Sequence, residues 1–534
     1  MASTPPFSRN LGDLLAELAA RDGGAAALIW DQGELSYARL ERRVAACARG
    51  LAGLGLERGG TLGLLCSNRW EWVCAALAAH RLGARVAAYN TFARAWDLGY
   101  MLEHSGAEVL VCLDRFRSRD FRATLVELLP ELAEGPPRSP RFPALREAVV
   151  VGDPGELRGA RRFEELLEGD GAAPPAAAPA EADAFVLYTS GSSARPKAVP
   201  LRHAGTIENG FAIGERAGFT AADRVLVAVP LFWAYGAVNA LPAVLTHGAA
   251  MVLQPAFEPA GALELVERHR CSAIYTLPNM TAALLEEPGF APARVASLRR
   301  GLTIGSEADV RRAAEGLGIE RIANIYGSTE TYGNCCVTPS EWPLERRASC
   351  QGPPLPGVSV RIVDPGDGRP LGPGEVGEIR VRGYLARGYL GDEEATAAAF
   401  GADGWYRSGD LGALDADGCL RFRARATEMI KTSGINVSPR EVEEVLLMNE
   451  NVAAAAVVGV ADERRTEAVV AFVVGREGRR PQEDALRSFC AERVAGYKVP
   501  ARVHVVAELP QTDTGKLARR RLVELDAEAV GRAV

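Results

Sequence analysis

Through its first 150 residues the chain alternates helix-like and strand-like segments without a break, and this alternation constrains the fold most. Leu11, Leu14, Leu15 and Leu18 share one helix face. A second helix is expected over Tyr37–Leu54, with Ser36 as its N-cap and Gly55 as its terminator. Then come strand Leu62–Cys66, helix Glu71–Leu82, strand Val86–Tyr89, helix Ala95–His104 and strand Val109–Cys112. Strands that alternate with helices must be joined by crossovers, so the spacing predicts βαβ units on parallel sheets. The pattern resumes with Val225–Val229, a helix around Ala262–Arg268, and Ala273–Tyr275. Between the two stretches, Gly171–Ala182 is almost wholly Ala, Pro and Gly, and reads as a surface connector.

After about residue 350 the character changes. Short strands at Val358–Val363, Glu378–Arg382 and Cys419–Arg423 are separated by Gly- and Pro-rich turns, which suits a small β-rich unit. From residue 425 the pattern is helix Pro439–Met448, strands Val452–Val460 and Ala468–Val474, helix Gln482–Ala495 and strand Arg502–Val506. The expected fold is therefore α/β and α+β. A large N-terminal domain over 1–424 carries parallel βαβ sheets plus the β-rich subdomain, and a small α+β domain covers 425–534.

The chain's 534 residues exceed what one ordinary core holds, which agrees with that division. A net charge of −7 gives no basic footprint for nucleic acid, and no apolar run approaches the roughly 20 residues of a membrane span. The N-terminus has no basic segment followed by an apolar core, so a cytoplasmic protein is expected. Ten cysteines without a CxxC pair read as reduced, buried small residues. The six histidines have no metal-ligand spacing.

Chemistry concentrates in four clusters. Tyr188-Thr-Ser-Gly-Ser-Ser-Ala-Arg-Pro-Lys-Ala-Val199 follows an apolar strand end and offers hydroxyls, backbone N–H groups and one cation, as an anion cradle would. A polar surface turn is the alternative. It is no P-loop, because Pro196 precedes Lys197 and Ala198 follows it. Asn324-Ile-Tyr-Gly-Ser-Thr-Glu330 combines a glycine turn with a carboxylate suited to Mg²⁺, or is a turn with a solvated Glu. Gly404-Trp-Tyr-Arg-Ser-Gly-Asp-Leu-Gly412 sets Asp410 in a glycine-flanked turn fit for ribose hydroxyls, or merely joins two strands. Leu509-Pro-Gln-Thr-Asp-Thr-Gly-Lys516 puts a lysine on a loop near the C-terminus. By contrast, Gly372-Pro-Gly-Glu-Val-Gly377 spells GxGxxG but precedes a strand, so it reads as a turn.

In this order and spacing the clusters resemble the acyl-adenylate-forming (AMP-binding) enzymes: acyl- and aryl-CoA ligases, peptide-synthetase adenylation domains and firefly-type luciferases. The resemblance covers essentially the whole chain. Tyr188–Ala198 matches the phosphate loop YTSGTTGxPKG, Tyr326–Glu330 matches YGxTE, Tyr406–Asp410 matches the YxTGD-like segment, and Pro510–Lys516 matches PxTxxGK. It implies ATP, Mg²⁺ and coenzyme A as cosubstrates and cofactors. Thr189, Ser190, Gly191, Ser192, Ser193 and Lys197 would hold the β- and γ-phosphates, with Glu330 on Mg²⁺. Ser306, Asn324, Tyr326, Gly327, Ser328 and Thr329 would line the nucleotide, while Asp410 and Arg425 would hold its ribose. Lys516, with Glu330 and Thr189, would serve catalysis by bridging the substrate carboxylate and the α-phosphate. A hinge at Thr427 would let the C-terminal domain turn for transfer to a thiol, with Lys431 nearby and Gly434 at the pantetheine tunnel.

Departures from the pattern fall on Ala194, Ala198, Ala424, Thr427 and Thr466, where the family carries glycines or a hinge Asp or Lys. Three of these belong to the thiol step. In the acyl pocket, Pro230-Leu-Phe-Trp-Ala-Tyr-Gly236 carries Trp233 where the family has histidine, and no acid to hold an α-ammonium. Phe232, Trp233, Tyr235, Gly236 and Tyr275 would line an apolar cavity, or serve as core. Gly305, Gly327 and Gly333 would leave room near the carboxylate. Only 18 residues follow Lys516, so a free-standing enzyme without a carrier domain is expected. The expectation is an AMP-forming acyl-CoA synthetase acting on a small-molecule carboxylic acid. The competing readings are an adenylating enzyme that hands acyl-AMP to an acyl carrier protein or partner thiol ligase, and a nucleotide-binding homologue without turnover.

Overall fold

A computed structural model describes residues 5–168, 178–189, 196–425, 429–432, 435–437, 439–462, 466–494, 496–512 and 516–532. The chain divides into two compact units. The first is 1–359 with 381–406, and the second is 360–380 with 407–534.

The first unit is built on two sheets. One runs, in spatial order, Cys336–Val337, Arg321–Tyr326, Arg300–Thr303, Ala273–Tyr275, Arg224–Val227, Ala250–Leu253, Ala26–Trp30 and Gly33–Ser36. Its interior pairs are parallel, and its antiparallel pairs lie at the two ends. The other runs Lys197–Arg202, Asp183–Thr189, Arg85–Ala88, Thr61–Leu65, Val109–Leu113, Glu147–Val151 and Ala160–Arg162, and is parallel except for its first pair. Strands Thr61–Leu65 and Val109–Leu113 are buried along their whole length, as apolar strands covered on both faces must be.

Local sequence explains the element ends. The Tyr37–Gly53 helix starts where Ser36 Oγ accepts from the Arg39 N–H at 3.3 Å, and stops ahead of Gly55, whose φ of +83° only glycine adopts easily. The Trp70–Leu82 helix is buried nearly all round because it lies between sheet and neighbouring helices. Glycine at 374 (φ +82°) confirms the 372–377 stretch as a turn leading into strand Gly377–Arg382.

The second unit holds most of a four-stranded sheet, Ser359–Val363, Gly377–Arg382, Tyr406–Leu414 and Leu420–Arg425, whose strands run across the unit boundaries. It also holds a five-stranded sheet centred on the long pair Val452–Asp462 and Thr466–Gly475, flanked by helices Pro439–Leu447, Glu483–Ala491 and Arg519–Arg532. The last helix was not expected: its Arg-rich start hides the apolar face that seats Leu522 against Phe472.

Candidate active site

Four neighbouring parallel strands of the larger sheet end on one edge, where the residues singled out from sequence gather. Tyr326-Gly327 follows Arg321–Tyr326, Gly305-Ser306 follows Arg300–Thr303, Tyr275 closes Ala273–Tyr275, and Pro230–Gly236 follows Arg224–Val227. Ligands of open α/β sheets bind at the carboxyl ends of strands. Asn68, just beyond strand Thr61–Leu65 of the other sheet, joins these ends. Its amide donates to the Val227 and Val229 carbonyls at 3.3 and 2.8 Å, and its Oδ1 accepts from the Leu231 N–H at 2.8 Å.

The hydroxyl-rich loop closes an antiparallel hairpin, with Tyr188 opposite Ala198 and Thr189 opposite Lys197. Ser190, Gly191, Ser192, Ser193 and Ala194 lie outside the described residues. The hairpin's ends are held from the Ala95–Ser105 helix: Tyr188 Oη donates to the Met101 carbonyl at 3.1 Å, and Tyr100 Oη donates to the Pro196 carbonyl at 3.4 Å. Ala198 is an ordinary extended strand residue whose carbonyl accepts from the Leu390 N–H at 2.9 Å, so glycine's freedom is not required there.

Lys197 meets Glu330 through a residue the sequence reading missed. The Lys197 ammonium lies 4.6 Å from the centre of the Tyr389 ring, and the Tyr389 hydroxyl donates to Glu330 Oε1 at 2.8 Å. Glu330 is only 7% exposed, on a short 3₁₀ turn, Thr329–Thr331, opened by the Ser328 N–H donating to Thr331 Oγ1 at 2.9 Å. Burial and then the Glu330 charge push the Tyr389 hydroxyl far above its ordinary pKa, so it remains a donor. The signal for Tyr389 was present in Ala386-Arg-Gly-Tyr-Leu-Gly391, whose two glycines both take positive φ.

Asn324 lies two residues before the end of its strand. It is fully buried, with its amide donating to the Cys350 carbonyl at 3.0 Å and its Oδ1 accepting from the Ile325 N–H at 3.0 Å. Ser306 caps the helix at Glu307–Arg311, its hydroxyl donating to Asp309 Oδ2 at 2.7 Å. Tyr326 is buried at the end of its strand, and its carbonyl accepts from the Cys335 N–H at 2.8 Å. Gly327 has no room for a Cβ beside Asn334 and Gly333, and Gly333 sits at φ +89°.

Among the aromatics, Trp233 and Tyr235 are half-buried while Phe232 and Tyr275 are buried. Trp233 stacks on Phe92 with centroids 6.2 Å apart and meets Phe232 edge-on at 5.7 Å. Tyr275 donates to Asn239 Oδ1 at 3.0 Å and packs 5.1 Å from Tyr235. Residues Tyr235–Ala240 form a π-helical turn, a deformation frequent at functional sites. Gly236 fits there because a side chain would strike the Pro230 carbonyl.

In the second unit Asp410 and Arg425 face each other across an antiparallel pair, with Arg425 Nε 3.4 Å from Asp410 Oδ1. Gly409 takes φ +70°, and the Asp410 N–H donates to Ser408 Oγ at 3.1 Å. Lys516 begins the last described stretch, its N–H donating to Thr512 Oγ1 at 3.2 Å. Its side chain retains solvent exposure. The protein crowded round the ammonium and the Arg425 charge still hold its pKa below the ordinary lysine value. Thr427 and Gly434 lie outside the described residues, and Lys431 falls in strand Ile430–Thr432.

One buried carboxylate suits Mg²⁺, which binds through one or two carboxylates plus substrate phosphates rather than in an all-protein cage. Among the described residues Glu330 Oε2 has no partner, and no group of three or more His, Cys, Asp or Glu could hold a metal by itself. The residues fit the ion on those terms.

A Lys-bearing hairpin and a buried carboxylate near the ends of parallel strands are an arrangement found in nucleotide-dependent α/β enzymes. The chain belongs to the AMP-binding enzyme family, which matches residues 15–390, with the AMP-binding enzyme C-terminal domain over 441–516. It is 31% identical over 513 residues to the putative acyl-CoA synthetase YngI of Bacillus subtilis (strain 168), covering 92% of each chain. Among solved structures it resembles ATP-bound MatB from Rhodopseudomonas palustris, with a TM-score of 0.84, 26% identity and coverage of 97% and 99%. The anthranilate CoA ligase AuaEII in complex with anthranoyl-AMP gives a TM-score of 0.84, 26% identity and coverage of 99% of each chain. Among the described residues, no helix is long and apolar enough to cross a membrane.

Proposed function

We propose that this chain is an AMP-forming acid–thiol ligase that converts a small-molecule carboxylic acid to its CoA thioester through a bound acyl-adenylate. The observation that carries this reading is the Lys197–Tyr389–Glu330 cluster at the mouth of the phosphate hairpin. Cosubstrates are ATP and CoA. Glu330 would hold Mg²⁺, which would supply positive charge against the ATP phosphates.

In the first half-reaction a carboxylate oxygen bonds to the α-phosphorus as the bond to pyrophosphate breaks. Two anions meet, so fixed cations and N–H dipoles are the catalysts needed. Lys197 and the Thr189–Ser193 loop hold the leaving phosphates. Asp410 and Arg425 hold the ribose, and Lys516 offsets charge at the carboxylate and α-phosphate. No general base is required, because the attacking group is already ionised. In the second half-reaction the CoA sulfur bonds to the acyl carbon and AMP leaves, after the C-terminal domain turns at Thr427 with Lys431 and Gly434 moving. We place that moving body at 425–534, a division by motion rather than by compactness.

The acid is apolar next to its carboxylate, since Phe232, Trp233 and Tyr235 supply no anion for an α-ammonium. The enzyme works in the cytoplasm. A panel of fatty, aryl and alicyclic acids, scored for pyrophosphate release with and without CoA, tests this. The expected result is one acid class that releases pyrophosphate and consumes CoA thiol. Acyl-AMP that accumulates despite CoA would replace the thiol step by handover to a carrier protein or partner ligase. Absence of ATP-dependent pyrophosphate release with every acid would overturn the reading.

A further inference from the structure

We infer that Tyr389 is a positioning residue that sets the metal carboxylate and the phosphate-loop lysine in register with each other. The inference rests on the assignment of Glu330 to Mg²⁺ above.

Three elements far apart in sequence converge on this side chain. Its hydroxyl donates to Glu330 Oε1 at 2.8 Å, which leaves Oε2 for an ion. Its ring face lies 4.6 Å beneath the Lys197 ammonium, within the range of a cation–π attraction. Tyr406, first residue of the Tyr406–Asp410 motif, is joined to the same side chain through the Phe400 ring. Phe400 fixes both tyrosines, with ring centroids 5.7 Å from Tyr389 and 5.1 Å from Tyr406.

The backbone around Tyr389 is equally constrained. The Tyr389 N–H donates to Thr396 Oγ1 at 2.8 Å, the Leu390 N–H binds the Ala198 carbonyl at 2.9 Å, and the Ala386 N–H binds the Glu330 carbonyl at 2.8 Å. Gly388 precedes it at φ +150°, where a side chain would strike Thr396. One segment is thus bonded to both the hairpin and the Glu330 turn, on either side of the tyrosine. Fixing one carboxylate oxygen selects which oxygen meets the ion, and outer partners of a ligand tune metal affinity in this way. The ring meanwhile gives Lys197 a seat that does not consume its hydrogen-bond donors, so all three stay available to phosphate oxygens.

The two contacts are separable. Tyr389→Phe keeps the ring and removes the hydroxyl, whereas Tyr389→Leu removes both. Calorimetric titration with ATP is run twice on each protein, once with excess EDTA and once with Mg²⁺, so that no acid substrate is needed. Tyr389→Phe is expected to bind metal-free ATP as the wild type does, and to lose roughly 10-fold of the affinity that Mg²⁺ adds. Tyr389→Leu is expected to lose metal-free affinity as well. Melting curves of each variant accompany the titrations, and the ratio of the two affinities does not depend on the fraction folded. Equal loss in both titrations for Tyr389→Phe, or no loss in either, overturns the inference. Wild-type protein whose ATP affinity ignores Mg²⁺ would instead remove the metal assignment of Glu330, and the inference falls with it.

Discussion

The Tyr332 hydroxyl accepts a hydrogen bond from the Arg202 N–H at 3.0 Å, tying the turn after Glu330 to the strand that begins at Lys197. Tyr332 holds the left-handed conformation at φ +57°, its carbonyl accepting from Asn209 Nδ2 at 3.2 Å. Its ring lies against Gly205, where a methyl group would overlap it. Gly205→Ala should therefore push Tyr332 off Arg202. Overpacking of this kind costs about 1–3 kcal/mol. The expected outcome is a lower melting temperature together with weakened Mg·ATP binding by calorimetry. An unchanged ATP affinity would show that the Tyr332–Arg202 tie does not transmit to the site.

Lys516 is cationic only below a pKa already depressed by crowding and by Arg425. A lysine whose pKa is lowered loses its charge earlier as pH rises, so adenylation should fail on an alkaline limb below the ordinary lysine value of about 10.4. Arg425→Gln removes the like charge and should move that limb upward, even as ATP binding weakens. ATP–pyrophosphate exchange against pH reads the shift. Lys516→Ala should lower exchange by roughly 10²–10³-fold. A limb that stays in place in Arg425→Gln would separate the two cations.

Trp233 is partly exposed and stacks on Phe92. Trp233→Ala should open apolar space and shift pyrophosphate release toward bulkier acids, with smaller acids losing turnover. The panel of acids used for the wild type measures it. An identical acid profile would assign Trp233 to packing alone.

His80 and His203 form a buried edge-to-face pair with centroids 5.0 Å apart, away from the chemistry. The His203 Nδ1 accepts from the Leu11 N–H at 3.3 Å. Desolvation pulls His203 down to about 4 and His80 well below its ordinary value. The sign follows from proton counting. Between about pH 6.5 and 4 the unfolded chain binds protons at these positions that the folded chain refuses, so stability falls as pH falls through that window. The melting temperature should drop from pH 7 to pH 5, and His203→Gln should flatten the drop. A pH-independent melting temperature over this window would refute it.

The sequence revealed the parallel sheets because apolar strands such as Val109–Leu113 alternate with helices of strong periodicity. It also revealed the motif clusters, since Gly, Ser and Lys in fixed order are rare by accident. Lysine itself carried a further signal: Lys197, Lys431, Lys498 and Lys516 are the only four among 61 basic side chains. Three of the four, Lys197, Lys431 and Lys516, are residues that the resemblance assigns to the site. Tertiary relations were not legible. Asn324 is an example: its place beside Tyr326 says nothing of the bonds its amide makes to Cys350 and Ile325. Tyr389 and Asn68 act across 59 and about 160 residues of chain, distances no local pattern encodes.

Residues 381–406 belong to the first unit although the chain has by then already entered the second. The polypeptide thus passes from one unit to the other three times, at 359/360, 380/381 and 406/407. During synthesis the first unit is incomplete when residue 359 emerges, because Tyr389, which bonds to Glu330, has yet to be made. The Tyr389–Glu330 contact can form only after a stretch of the second unit has left the ribosome, so neither unit is a module that a single cut could release.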